Sequence, residues 1–410
     1  MTEIFKEKLS KKEIGGIYMS NEIMDLQKLV DKGQLFYPLG SDTRVEAFIP
    51  TIGHSNHSSN LLFLKNGDLF CCWMAGSFEG NPGMNIVGSI LRSDSNGWGP
   101  CFSIAADSTH SLQNPVPYQD EDGKLFVLYT AQECRGCSEE EWKEKLDRNK
   151  VTGNFTMQHT SQILYCASED NGKSWSDSNI LFSRKGSFIR HKIVHLTTGE
   201  LLLPMYYSSD TKDYNNRYGN DYSVVRITKS FEEEWTEYEI PGSKGLVHAS
   251  IVLGEDKRCF AFFRSRSADR IYKSASTDNG RSWSIPERIA LPNNNASISA
   301  IRLQSGRIAM IYNHYSANDD VNKVVWPKQR YPLTIALSEN NGLSWPYKRH
   351  LEAGDGFFEP ENDHLNKTYS YPIILQDEDG NIIHCSYSYA SRHCIKYVRI
   401  SEKWILGEEV

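Results

Sequence analysis

Apolar residues in this chain recur in short runs rather than at a helical spacing. Five of these runs share a shape: LLFL (61–64), IVHL (193–196), SIVL (250–253), AIRL (300–303) and PIIL (372–375). Most are followed within a few residues by a glycine turn, at Gly67, Gly199, Gly306 and Gly380, and a similar turn lies at Gly123. Glu255-Asp256-Lys257 is a glycine-less version of the same turn. Short, nearly continuous apolar runs bounded by turns read as strands buried on both faces. A second kind of turn alternates with the first: Ser168–Trp175, Ser276–Trp283 and Ser338–Trp345 share the pattern S-x-[DN]-x-G-x-S-W. Asp or Asn before Gly makes a tight turn that needs positive φ, the Ser and Asp side chains tie it to its own backbone, and the Trp buries itself beneath. Degenerate copies are read at Ser93–Trp98, Ser230–Trp235 and Ser401–Trp404.

Interleaved, the two kinds of turn give six pairs, each suited to one four-stranded antiparallel blade. The spacing predicts an all-β, six-bladed β-propeller, with a seventh blade assembled from both termini as the alternative count. Residues 1–45 form a polar lead-in, in which Asn21–Gly33 has the cap, apolar spacing and glycine stop of a short helix; the propeller domain spans 46–410. Ser138–Asn149 opens with a Ser-x-x-Glu capping box and is expected to be helical. The stretches 317–331 and 355–368 are long and polar, as loops at the rim of a rigid scaffold often are.

Composition narrows the classes of partner. The net charge is −7 with both signs interspersed, which argues against a nucleic-acid surface. Apolar stretches of membrane-spanning length and a leader-like apolar segment are both missing from the given sequence, and its nine cysteines are scattered. The expectation is a cytoplasmic protein with no membrane partner and reduced thiols. Cys134-Arg135-Gly136-Cys137 lacks the second ligand pair of a zinc site and reads as loop cysteines. No cofactor is called for, although a divalent ion held by histidines and carbonyls would leave no signature at this level.

In a propeller the first residues of each innermost strand line the mouth of the central channel. Counting back from each first-type turn puts His57, Gln113 or Asn114, Arg190, a residue near His248, Ser297 and Tyr371 there. Polar groups at these positions, ahead of apolar strand bodies, suit a buried blade with a functional mouth. The ends of the second strands bring Glu79, Arg264 and Arg266 towards the same place, and Arg330 precedes a later strand. Arg190, Arg264 and Arg330 together would hold a carboxylate, with Lys192 on the Arg190 face by alternation.

The boxes resemble the Asp-box of the sialidase-like (BNR-repeat) β-propellers, and the likeness extends over nearly the whole chain. His248–Ser284 looks like the blade carrying that family's second carboxylate-binding arginine, here Arg264, and Arg330–Trp345 looks like the blade after its third. Tyr371 stands where sialidases have a nucleophilic tyrosine. The chain departs from sialidases in three places: it has Ala47-Phe48-Ile49-Pro50 in place of F-R-I-P, no Glu near His248, and no Asp between Gly80 and Ile86. His57–Gly80 followed by Gln113-Asn114-Pro115 looks more like a branch whose relatives include lyases and glycosidases acting on rhamnosyl-glucuronate ends.

The resulting expectation is an enzyme that cleaves a terminal acidic sugar, with an acidic oligosaccharide as its partner. Uronate β-elimination is the first reading: arginines neutralise the carboxylate, while His57 and Tyr371 supply base and acid. An exo-acting hydrolase of sialidase or α-L-rhamnosidase type is the alternative, with Glu79 as its acid, and a non-catalytic glycan-binding propeller is the third. The expected substrate-binding residues are Asn114, Arg190, Lys192, His248, Arg264 and Arg330.

Overall fold

The computed structural model describes residues 32–38, 40–77, 79–134, 157–209, 218–255, 257–318, 320, 323–354, 365 and 367–408. Six antiparallel sheets follow one another around a ring. Their innermost strands are Ser55–Phe63 (blade I), His110–Gln119 (II), Ser187–Ile189 with Val194–His195 (III), Leu246–Leu253 (IV), Ser299–Arg302 (V) and Ser370–Gln376 (VI). Blade III differs because its innermost strand is broken, and both pieces pair with Leu201–Tyr207. The termini do not build a seventh blade. Val45–Ile49 instead pairs with Cys394–Ile400 as the outermost strand of blade VI, closing the ring.

Alternation along the strands accounts for the ring. In the second strand of blade IV, Cys259, Ala261 and Phe263 pack with blade III residues Leu202 and Val225. The intervening Phe260 and Phe262 pack with Ile308 and Met310 of blade V. Each sheet therefore buries both faces, and the core is a set of inter-blade layers rather than one centre. Each Asp-box turn is anchored in such a layer. Asp278 accepts from the Ser282 backbone (2.9 Å) and hydroxyl (2.6 Å), Ser276 Oγ accepts from Gly280 N (2.8 Å), and Trp283 is buried. Gly280 has φ 82°, and a Cβ there would stand 2.5 Å from Leu202 Cδ1 of blade III, so glycine is required both by conformation and by the neighbouring blade.

Ser401–Trp404 is not a degenerate box. It forms the start of a short α-helix, α1 (Glu402–Leu406), with Ser401 as N-cap accepting from Trp404 N (2.9 Å). The fourth strand of this blade comes from the N-terminal side of the chain, so no reversal is needed after the third. The helix predicted over Asn21–Gly33 lies outside the described residues except for Lys32 and Gly33, and the one predicted over Ser138–Asn149 lies wholly outside them. Among the described residues no helix is long and apolar enough to cross a membrane.

The closing strand is locked by a buried charge cluster. Lys396 bridges Glu46 (2.9 Å) and Glu352 of blade V (2.6 Å), Arg44 reaches Glu352 (3.0 Å) and Glu46, and Tyr387 donates to Glu352. Burial opposes ionisation of Glu352, but Lys396 and Arg44 outweigh it and hold its carboxyl below the ordinary value of 4.5. Replacing Lys396 by Met leaves two buried carboxylates to share Arg44 alone and is expected to cost about 3–5 kcal/mol in urea unfolding. The depressed carboxyl contributes stability above its ordinary value and loses it as pH falls through the folded value. Wild-type stability should therefore fall more steeply in acid than that of Lys396→Met.

Candidate active site

The inner strands are interrupted at a similar height. Register breaks fall between His57 and Asn60, Gln113 and Val116, Val247 and Ser250, and Ser370 and Ile373. Each break carries a non-glycine residue in the left-handed region: Ser58 (φ 60°), Asn114 (φ 50°), His248 (φ 53°) and Tyr371 (φ 50°). Asn295 (φ 55°) precedes the inner strand of blade V, and in blade III the strand breaks between Ile189 and Val194, around Arg190. A bulge re-aims a side chain, and a left-handed non-glycine residue costs about 1–3 kcal/mol, so its recurrence across blades marks a site.

The re-aimed groups converge on Tyr371. Its hydroxyl accepts from Arg264 Nη1 at 2.5 Å, and its ring lies 4.2 Å from the His57 ring and 5.4 Å, edge-on, from that of His248 (centroid distances). The guanidinium carbons of Arg190, Arg264 and Arg330 stand 5.5, 5.5 and 5.7 Å from the ring centre. Arg264 Nε donates to Asn295 Oδ1 (2.8 Å), while its Nη2 is buried with no partner among the described residues. Arg330 Nη1 donates to Ser370 Oγ (2.9 Å). Arg190 is committed elsewhere: Nη1 donates to Ser59 O (3.2 Å) and Nη2 to Tyr371 O (2.8 Å), so it clamps blades I and VI.

The other expected residues divide. Asn114 Oδ1 accepts from Ser58 Oγ (2.7 Å), linking blades I and II at the mouth. His57 Nδ1 is 2.8 Å from Ser388 Oγ, and its Nε2 is buried and unpartnered among the described residues. His248 packs between Tyr206 and Tyr371. Glu79 pairs with Arg392 (2.6 Å) and lies close enough to press on Tyr371 and Arg330. Lys192 does not join this group; it lines a separate cavity farther along the channel.

Four further residues complete the site. Arg266 forms a fully buried pair with Asp221 (2.7 Å). The half-exposed Trp326 lies beneath Arg264 and Arg266, with guanidinium-to-ring distances of 5.4 and 5.2 Å. Arg392, at φ 77° in the turn after Tyr389, and Ser388 anchor Glu79 and His57. Alternation along Tyr387–Tyr389 would have offered Ser388 only as a small polar residue. Arg392 has no sequence signal beyond its place at the top of a hairpin.

The electrostatics are unusual for a buried site. Burial acts to raise the Tyr371 phenol, yet Arg264, Arg330 and Arg266 outweigh it and bring it below the ordinary value of 10, against the opposing charge of Glu79. Burial and the surrounding arginines push His57 and His248 well below the ordinary imidazole value, so both are neutral. Burial brings Arg190 and Arg330 down to about 10. The group best able to accept a proton is thus the phenolate and not an imidazole. No group of three or more metal-ligating side chains occurs among the described residues.

A family profile described as a BNR repeat-like domain matches residues 67–385. Solved structures with this architecture include the Hadza microbial sialidase Hz136, 16% identical, TM-score 0.66, covering 86% of this chain and 67% of that one. The leech intramolecular trans-sialidase is 15% identical, with TM-score 0.64 and coverage of 88% and 70%. A protein of unknown function from Dyadobacter fermentans is 14% identical, with TM-score 0.64 and coverage of 87% and 98%. At these identities the likeness is one of fold. No curated protein matches the chain at the sequence level.

The Tyr371 environment can be tested without a substrate. In an ultraviolet pH titration one tyrosine should ionise before the others, and that step should vanish in Tyr371→Phe. In Arg264→Gln it should move to higher pH, because the largest favourable charge on the phenolate is gone. An unchanged first step in Tyr371→Phe would assign it to another tyrosine.

Proposed function

Since the chain belongs to the BNR repeat-like domain family and gathers arginines around one buried tyrosine, we propose that it cleaves a terminal acidic sugar by β-elimination. The observation that carries this reading is the Arg264–Tyr371 contact in a setting poor in carboxylates. Elimination next to a uronate needs the carboxylate neutralised, the C5 proton removed and the oxygen at C4 protonated as it leaves. Arg264 Nη2, with no partner among the described residues, and Arg330 supply the first requirement through charge-assisted hydrogen bonds. The Tyr371 phenolate takes the C5 proton, the C5 electron pair forms the C4=C5 double bond, and the C4–O bond breaks. The phenol then returns its proton to the departing oxygen, so one residue serves as base and acid on one face.

His57 and His248, both neutral, suit holding the ring and the sugar hydroxyls rather than donating a proton, since a neutral imidazole is a very weak acid. This shifts weight from the His57–Tyr371 division of labour expected from sequence to Tyr371 alone. Hydrolysis is the second reading, favoured by Glu79 lying near Tyr371. Tyr371 would then attack the anomeric carbon and Glu79 would serve as acid. A two-carboxylate glycosidase is less well supported, because Glu79 is paired with Arg392 and the other carboxylate near the site, Asp221, is fully buried against Arg266.

Purified protein incubated with rhamnosyl-glucuronate and sialyl oligosaccharides separates the readings. Ultraviolet absorbance of an unsaturated uronate, with products that have gained no water, is expected; products heavier by one water without absorbance would favour hydrolysis. Tyr371→Phe should lower kcat/KM by roughly 10²–10⁴-fold with the substrate still bound. Because the base acts deprotonated, kcat/KM should rise with pH up to the lowered phenol value and then level. Equal turnover by Tyr371→Phe would remove the tyrosine mechanism, and binding without any turnover would make the propeller a recognition module.

A further inference from the structure

A cavity of about 270 Å³ lies on the channel side of blades III, IV and V, beyond the arginine cluster. None of Arg190, Arg264, Arg330, His57, His248 or Tyr371 lines it. It exists because the inner strand of blade III breaks between Ile189 and Val194, which turns His191 and Lys192 towards the facing strands of blades IV and V. Its walls are aliphatic, with Ile251, Leu253 and Ile301 among them.

Among the described residues, two cations, Lys192 and Arg302, and no carboxylate border this space. Arg302 is spent on neutral acceptors, donating to Leu253 O (2.7 Å), Gly306 O (2.6 Å) and Asn341 Oδ1 (2.7 Å). Lys192 has no hydrogen-bond or ion-pair partner among the described residues, and burial pushes its ammonium down to about 8 with no acid group to offset it. The neighbouring His191 is hydrogen-bonded to the Ile298 backbone, while its Nε2 is buried and unpartnered. A half-buried, unpartnered ammonium facing a cavity with no carboxylate among its described lining is stabilised by a counter-charge placed in that space.

We propose that this rear cavity is a second ligand site that takes a small aliphatic monocarboxylate, its carboxylate on Lys192 and its chain against Ile251, Leu253 and Ile301. Binding there is separate from sugar recognition, because the two sites share no lining residue. An apolar wall with one ammonium selects against polyanions and sugars, whose hydroxyls would find few partners.

Calorimetric titration of butyrate into the full chain tests this, with butylammonium as the charge control. Saturable binding of butyrate and none of butylammonium is expected, unchanged in Arg264→Gln and about tenfold or more weaker in Lys192→Met. Ile301→Trp, which fills the cavity and leaves Lys192 in place, should abolish it and decides the matter if Lys192→Met does not fold. Three results would each overturn the proposal: no saturable binding, binding indifferent to Ile301→Trp, or binding lost in Arg264→Gln, which would put the carboxylate on the arginine cluster.

Discussion

Burial of both faces of every sheet is the constraint from which the rest follows. A strand such as Cys259–Ser265 sends alternate side chains into two different inter-blade layers, so its body has no position to spare for polar chemistry. Functional groups are confined to strand ends at the axis and to the loops above them. The six sheets must also close, because an open ring would expose an apolar sheet face and an unpaired edge. The chain closes it by giving blade VI an outermost strand from its N-terminal side, fastened by Lys396, Glu46, Glu352 and Arg44.

Closure is what allows strain at the mouth. Ser58, Asn114, His248 and Tyr371 hold left-handed backbones that an isolated strand would relax, and the inter-blade packing below them supplies the rigidity. The bulges turn these residues inward, and contacts between blades then hold them: Ser58 on Asn114, Arg190 on the backbone of Ser59 and Tyr371, Arg264 on Asn295, Arg330 on Ser370. The site is therefore a property of the ring as a whole. A sheet lifted out of it would carry the side chains but not their aim.

That division explains what was legible in the sequence. Turns are local, so the Asp-boxes and glycine turns revealed six blades, and counting from them reached His57, Gln113 or Asn114, Arg190, the neighbourhood of His248 and Tyr371 at the axis. Local reading fails where a group owes its place to another blade. Alternation put Lys192 beside Arg190, but the strand breaks there and alternation lapses. Arg392 and Ser388 matter only through Glu79 and His57 of the neighbouring blade. Ser401–Trp404 imitates a box, yet the strand it would lead into comes from the other end of the chain. The histidines were weighed by their ordinary titration, which burial among arginines removes.

Charge balance at the axis ties these observations to chemistry. Around Tyr371 stand the guanidinium groups of Arg190, Arg264, Arg266, Arg330 and Arg392, with the carboxylates of Asp221 and Glu79 as partners for Arg266 and Arg392. Among the described residues Arg190, Arg264 and Arg330 have no carboxylate as a hydrogen-bond partner, and Arg264, Arg330 and Arg266 bring the phenol below its ordinary value. An anionic ligand seated on Arg264 and Arg330 takes over part of the stabilisation that the phenolate enjoyed. In the elimination proposed above, its arrival would raise the proton affinity of Tyr371 just where a proton is to be removed. A neutral sugar would produce no such change, so the proposed elimination favours acidic substrates through the same arginines that lower the phenol.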